Sequence, residues 1–160
     1  MKLIFILSLI LVFYTYLGYP LLLYFYYLLF PGRKKGLTPD YFPTVSFLIP
    51  CFNEVDFVLQ KINNITELEY PAEKIEFIFI TDGSTDDTYN VVQKNISSSA
   101  YKIRLEHRDE RKGKQHAIDR IIPELESEII IFNDCNTIVN EYAIKLMTRH
   151  FQLANVGVVT

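Results

Sequence analysis

Residues 3–30 carry no charged side chain, and no other feature of this 160-residue chain restricts its fold so strongly. As a helix the stretch is about 42 Å long, whereas a bilayer core is about 30 Å thick and needs about 20 residues. It can therefore cross a membrane with length left for tilt. Gly18 and Pro20 are expected to bend it, which membrane helices tolerate. Tyr24, Tyr26 and Tyr27 can form an interfacial belt. A cleaved signal peptide would have a shorter apolar region followed by a small-residue cleavage site, and neither is found. Arg33, Lys34 and Lys35 follow the stretch, against Lys2 and the amino terminus before it. The positive-inside rule then puts the globular part in the cytoplasm.

The expected organisation is a transmembrane anchor over 1–31, a linker over 32–44 punctuated by Gly32, Gly36, Pro39 and Pro43, and a globular region over 45–160. Half of the residues are hydrophobic, too many for a disordered chain. The net charge of −3 gives no basic surplus, and no nucleic-acid partner is expected. Cys51 and Cys135 are far apart in the chain and lack metal-finger spacing, and a disulfide is not expected in a reducing compartment. Asn64-Ile65-Thr66 and Asn95-Ile96-Ser97 match the glycosylation tripeptide, which would matter only in the opposite orientation.

Beyond the linker, apolar runs alternate with helical spacing. Strands are expected at 45–50, 75–81, 101–107 and 128–133, with the start of another at 156–160. Helices are expected at 54–68, 86–97, 113–125 (where Pro123 should end or kink it) and 140–154. This alternation predicts an α/β fold with a parallel sheet covered by helices, since buried parallel strands are continuously apolar.

In such sheets ligands bind beyond the carboxyl ends of the strands. The residues following the four strands are Pro50-Cys51-Phe52-Asn53-Glu54, Thr81-Asp82-Gly83-Ser84-Thr85-Asp86-Asp87, Arg108 to Gln115, and Asp134-Cys135-Asn136-Thr137. All should share one rim. Ser84 or Thr85 is expected to cap the next helix, with Asp86 and Asp87 in its first turn. Asp82, at a strand end, can accept from a base N–H or a ribose hydroxyl. There is no P-loop and no dinucleotide fingerprint after the first strand. Arg111 to Lys114 is basic and opens a helix, which suits a diphosphate or merely a solvated turn. Asp134 and Asn136 are two residues apart and can face one hard cation, Mg²⁺ or Mn²⁺, if a nucleotide diphosphate completes the shell.

With these motifs in order, the chain from about Val45 to Thr160 resembles a family 2 glycosyltransferase of the GT-A fold. It is most similar to the membrane-bound bacterial enzymes related to cellulose, chitin, hyaluronan and poly-N-acetylglucosamine synthases. The resemblance implies that Pro50 and Glu54 line a uridine pocket, that Asp82 binds base or ribose, and that Lys114 lies near the donor diphosphate. Asp134 would open the family's D-x-D metal motif, with Asn136 as a departure at its third position. The implied reaction is inverting transfer of a sugar from a nucleotide-diphosphate donor, such as a UDP-sugar, to a glycan or lipid acceptor. The implied catalytic base and the Q-x-x-R-W motif fall beyond Thr160, and Asp109 and Glu110 belong to the donor side. The chain therefore reads as the donor-binding half of a truncated GT-A domain. Two alternatives stay open: a non-catalytic membrane-anchored remnant or subunit, and a D-x-D-x-T phosphatase, for which Asn136 is the wrong acid/base. On this reading the 160-residue polypeptide alone binds a uridine nucleotide weakly and does not turn over. Sugar transfer by the purified chain, measured with labelled donor, would contradict it.

Overall fold

The computed structural model describes residues 1–30 and 36–160. The chain divides into two compact units, Met1–Gly36 and Leu37–Thr160. Arg33, Lys34 and Lys35, on which the expected orientation rests, lie outside the described residues, as does most of the first part of the expected linker.

The first unit is helical from Lys2 to Leu29, long and apolar enough to cross a membrane. Helix α1 (Lys2–Phe13) and helix α2 (Tyr19–Leu29) are joined by a π-helical turn, Tyr14–Gly18. The irregularity falls just before Pro20, which has no N–H to give and sits in the first turn of α2. The widened turn is closed by Tyr19 N–H donating five residues back to the carbonyl of Tyr14. The serine and the threonine of this helix satisfy themselves: Ser8 donates to the Ile4 carbonyl and Thr15 to the Leu11 carbonyl, each at 2.9 Å.

The second unit is a four-stranded parallel sheet in the order β3-β2-β1-β4. The strands are β1 (Val45–Cys51), β2 (Ile75–Asp82), β3 (Lys102–Arg108) and β4 (Ile129–Phe132). Successive side chains leave opposite faces. Phe47, Ile49, Phe77 and Phe79 pack with Val58, Ile62 and Ile65 of helix α3 (Val55–Thr66), Val92 of helix α4 (Thr88–Asn95) and Ile144 of helix α6 (Ala143–Thr148). Leu48, Ile78 and Ile80 pack on the other face with Ala117, Ile118 and Ile121 of helix α5 (Lys114–Ile121). Both faces of β1 and β2 are covered, which explains their uninterrupted apolar sequence. Pro123 sits in a short 3₁₀ turn, Ile122–Glu124, that ends α5 early.

Four local expectations need correction. The helix expected over 140–154 is reduced to α6 and a 3₁₀ turn, Arg149–Gln152. Ahead of it, Asn140 forms its own turn, accepting from Tyr142 N–H on the side chain and from Ala143 N–H on the carbonyl. Behind it, the Gln152 amide is held by both backbone groups of Thr38. Residues 156–160 form no strand, because no neighbouring strand pairs with them. The stretch 37–44, read as linker, is packed: Phe42 meets the Tyr70 ring edge-on, and Tyr70 donates to the Pro43 carbonyl. Finally, neither Ser84 nor Thr85 caps α4, and Asp86 and Asp87 precede it.

Asp86 instead serves two helix starts. Its Oδ1 accepts from Thr88 N–H at 3.0 Å and from the Thr88 hydroxyl, and its Oδ2 accepts from Val55 N–H at 3.2 Å. Thr88 in turn accepts from Glu54 N–H at 2.9 Å. Burial pushes the Asp86 carboxyl up, but the Thr88 hydroxyl and the backbone N–H groups outweigh it and hold it below the usual carboxylate range. A depressed folded-state pKa means stability that is present above the ordinary carboxylate value and lost as pH falls through the folded value. Asp86→Ala should cost about 1–2 kcal/mol near neutral pH, as for a lost cap. The gap between variant and wild type should narrow as pH drops below about 4, a trend that urea titrations at several pH values would follow.

Candidate nucleotide-sugar site

The β1–α3 and β2–α4 turns are bonded to each other. Asn53 adopts a left-handed conformation with φ of 53°, which asparagine tolerates better than most residues. Its side-chain oxygen accepts from Thr85 N–H at 2.9 Å, and its own N–H donates to Ser84 Oγ at 3.3 Å. Ser84 and Thr85 are thus spent on Asn53, and Glu54 is presented at the start of α3.

Asp82 ends β2 and is only 6% exposed. Its Oδ2 accepts from Lys112 N–H at 2.9 Å and Gly113 N–H at 2.6 Å, so the loop after β3 folds over it. Its Oδ1 is buried and has no partner. Gly83 permits the crossing: its φ is 66°, its N–H donates to the Arg108 carbonyl at 2.8 Å, and a Cβ there would lie 2.6 Å from Arg111 N. Arg111 then lays its guanidinium over the Phe52 ring, 3.7 Å from its centroid.

Lys114 begins α5 and forms an ion pair with Asp134, which follows β4. Their side chains are 60% and 57% exposed, so the pair is worth under about 1 kcal/mol and is easily exchanged for other partners. Beneath them Cys51 and Cys135 are buried and free. A hydrogen bond with Cys135, followed by burial, holds the Cys51 thiol well above its ordinary pKa. The Cys51 sulfur therefore behaves as protonated, weakly nucleophilic filling.

These four strand ends enclose one cleft of about 330 Å³. Pro50 and Glu54 line it from β1, Asp82 from β2, Lys114 from α5, and Asp134 and Asn136 from beyond β4. All six residues singled out from the sequence therefore face a shared hollow. Asp109 and Glu110 do not line it; they pair with His107 and Lys112. The cleft also contains Phe52, Arg111 and the two cysteines. Sequence reasoning gave Phe52 and the cysteines no part in the site and Arg111 one only within the basic turn before α5, although all four lie within the turns flagged at strand ends. Among the described residues, no three His, Cys, Asp or Glu side chains gather closely enough to hold a metal by themselves. Asp134 and Asn136 offer a carboxylate and an amide oxygen, a hard-oxygen donor set that suits Mg²⁺ or Mn²⁺ only when a phosphate supplies further ligands.

The family model for Glycosyl transferase family 2 matches residues 46–160, which is the sheet and all four of these turns. The chain belongs to that family. Among its relatives, the poly-beta-1,6-N-acetyl-D-glucosamine synthase of Staphylococcus aureus (strain MSSA476) is 29% identical over 122 residues, covering 76% of this chain and 28% of that protein. The Staphylococcus epidermidis protein of the same name is 30% identical over 109 residues, 68% of this chain and 25% of the relative. The chain thus spans little more than a quarter of the length of these curated relatives. The mannosyltransferase PcManGT from Pyrobaculum calidifontis, solved with GDP-Man and Mn²⁺, superposes with a TM-score of 0.80 at 25% identity. That match covers 92% of this chain and 44% of the other. Staphylococcus aureus TarS 1-349, solved with UDP-GlcNAc, gives a TM-score of 0.59 at 18% identity over 73% of this chain and 37% of that one. The family 2 sheet is therefore GT-A-like, as the motifs implied.

Gly83→Ala should destabilise the globular unit by more than about 1 kcal/mol, since it combines a positive φ with a backbone clash. The Phe52–Arg111 stack should loosen with it. Thermal unfolding, with side-chain NMR of the Phe52 ring, would register both effects.

Proposed function

We propose that the cleft is the donor site of a nucleotide-sugar glycosyltransferase: it binds a nucleotide-diphosphate sugar, a UDP-sugar in the first instance, with Mg²⁺ or Mn²⁺. The observation that carries this reading is the Asp82 carboxylate. One oxygen is used to fold the loop after β3, and the other is buried in the cleft without a partner. A buried unpaired carboxylate oxygen is costly, and a base N–H or ribose hydroxyl would satisfy it. Pro50, Glu54, Phe52 and Arg111 supply walls for a planar base beside it.

The diphosphate then lies toward Lys114. The Lys114–Asp134 pair exchanges partners on binding: the ammonium moves to phosphate oxygens, and Asp134 is freed to serve with Asn136 as a cation ligand. The cation, when bound, would offset charge on the departing diphosphate. Lys114 and the backbone N–H groups at the start of α5 assist there. The reaction is inverting transfer of the sugar to a glycan or lipid acceptor hydroxyl, which needs a carboxylate base. Glu54, Asp82 and Asp134, the cleft's own carboxylates, are engaged with the donor, and the base is assigned to none of them. The relatives' printed name, a poly-beta-1,6-N-acetyl-D-glucosamine synthase, favours a hexosamine donor and a growing glycan at a membrane. The Lys2–Leu29 helix is the single-pass anchor, with the globular unit on the cytoplasmic side.

Titrating the chain with UDP in the presence and absence of Mn²⁺ tests this. Asp134→Ala should abolish the metal dependence, and Asp82→Ala should weaken UDP by about tenfold or more, the worth of a hydrogen bond to a charged group. Equal UDP affinity in wild type and both variants would remove the assignment.

A further inference from the structure

Helix α3 carries an ammonium group on its apolar face, three residues after Val58 and four before Ile65. Lys61 is 1% exposed, and among the described residues none of the ion pairs includes it. Taking such a cation out of water costs several kcal/mol. Its Nζ lies 5.6 Å from the centroid of the Phe47 ring. Burial lowers its pKa to about 8, while Cys135, Cys51 and the Asp134 carboxylate pull the other way.

Both hydrogen-bond acceptors of Lys61 come from one loop. They are the Asn133 side-chain oxygen and, at 2.8 Å, the Thr137 carbonyl. Three residues further along the same helix face, buried Asn64 makes a two-way pair with Val139. It donates to the Val139 carbonyl and accepts from Val139 N–H, each at 2.8 Å. The segment 133–139 is thus fastened to α3 at both ends. Between the fastenings lie Asp134 and Asn136, which face the cleft. Thr137 completes the loop by donating its hydroxyl to Asn133 Oδ1 at 2.9 Å and to the Asp134 carbonyl at 2.8 Å.

We propose that Lys61, assisted by Asn64, is the positioning residue of this site: it moors the 133–139 loop so that Asp134 and Asn136 are held toward the donor. That a donor lies there rests on the donor-site reading above. Lys61 touches neither donor nor cation and acts through the loop.

The test uses the full-length chain in detergent micelles and has two arms. In the first, backbone amide exchange is followed in wild type, Lys61→Met and Asn133→Ala. The Thr137 and Val139 amides should exchange at least about tenfold faster in both variants, while β1 and β2 amides keep their wild-type protection. An unchanged loop, or a rise spread uniformly over the sheet, overturns the proposal. In the second arm, UDP is titrated with Mn²⁺. Lys61→Met should lose about tenfold in metal-dependent affinity, the usual scale for a group that orients a metal ligand. With Asp134→Ala already present it should lose less than about twofold, because the two act as one unit. Equal losses in both backgrounds indicate general damage and also overturn it. If wild type binds no UDP at all, the donor-site reading falls by itself, and the exchange arm still decides whether Lys61 moors the loop. Asn133→Ala removes one acceptor of Lys61 from the loop side, and its two readouts stand in for Lys61→Met should that variant not fold.

Discussion

Strand β1 is the reference on which the globular unit is built. It pairs in parallel with β2 along its whole length and with β4 along its first four residues, and both of its faces are buried. A slip of one residue would send Phe47 and Ile49 to the α5 side and Leu48 to the α3 side, exchanging two differently shaped cores. The register is therefore fixed, and with it the height at which each strand stops. Asp82, at the end of β2, is level with Arg108 at the end of β3. The convergence of polar residues on one cleft follows from apolar packing several residues away.

The turns on that rim support one another without any ligand. Asn53 holds Ser84 and Thr85, Asp86 and Thr88 hold the start of α3, and Asp82 holds the start of α5. Each uses a side chain to satisfy backbone N–H groups that a helix start or sharp turn leaves unpaired. A site held this way is pre-organised, because the atoms facing the cleft are positioned by bonds behind them. The exposed Lys114–Asp134 pair is the exception: it is weakly held and open to exchange.

The parts of this architecture that were legible in the sequence are those governed by short-range pattern. Continuous apolar runs at 45–50 and 75–81 mark doubly covered parallel strands, and the strand-end polar residues Glu54, Asp82, Lys114, Asp134 and Asn136 follow from topology. What escaped was set by partners distant in the chain. Ser84 and Thr85 have good capping chemistry, but Asn53 takes them first. The periodicity of Ala143, Ile144, Met147 and Phe151 runs on through a change from α to 3₁₀ geometry, and Gln152 at its end is bonded to Thr38, 114 residues earlier in the chain. Lys61 shares the apolar face of α3 by spacing, but its acceptors in the loop after β4 are more than seventy residues away in the chain. Cys51 and Cys135 become neighbours only through the pairing of β1 with β4.

The two borders of the sheet differ in a way that matters for handling the protein. β3 carries Lys102, Arg104 and Glu106 on its border, whereas β4 is Ile-Ile-Ile-Phe with no charge, and Phe132 is 56% exposed. A strand border with free hydrogen-bonding groups and no charge is a template for foreign strands. Among the described residues β4 is therefore the border at which a strand of another molecule can pair, and a charge at position 132 would oppose it.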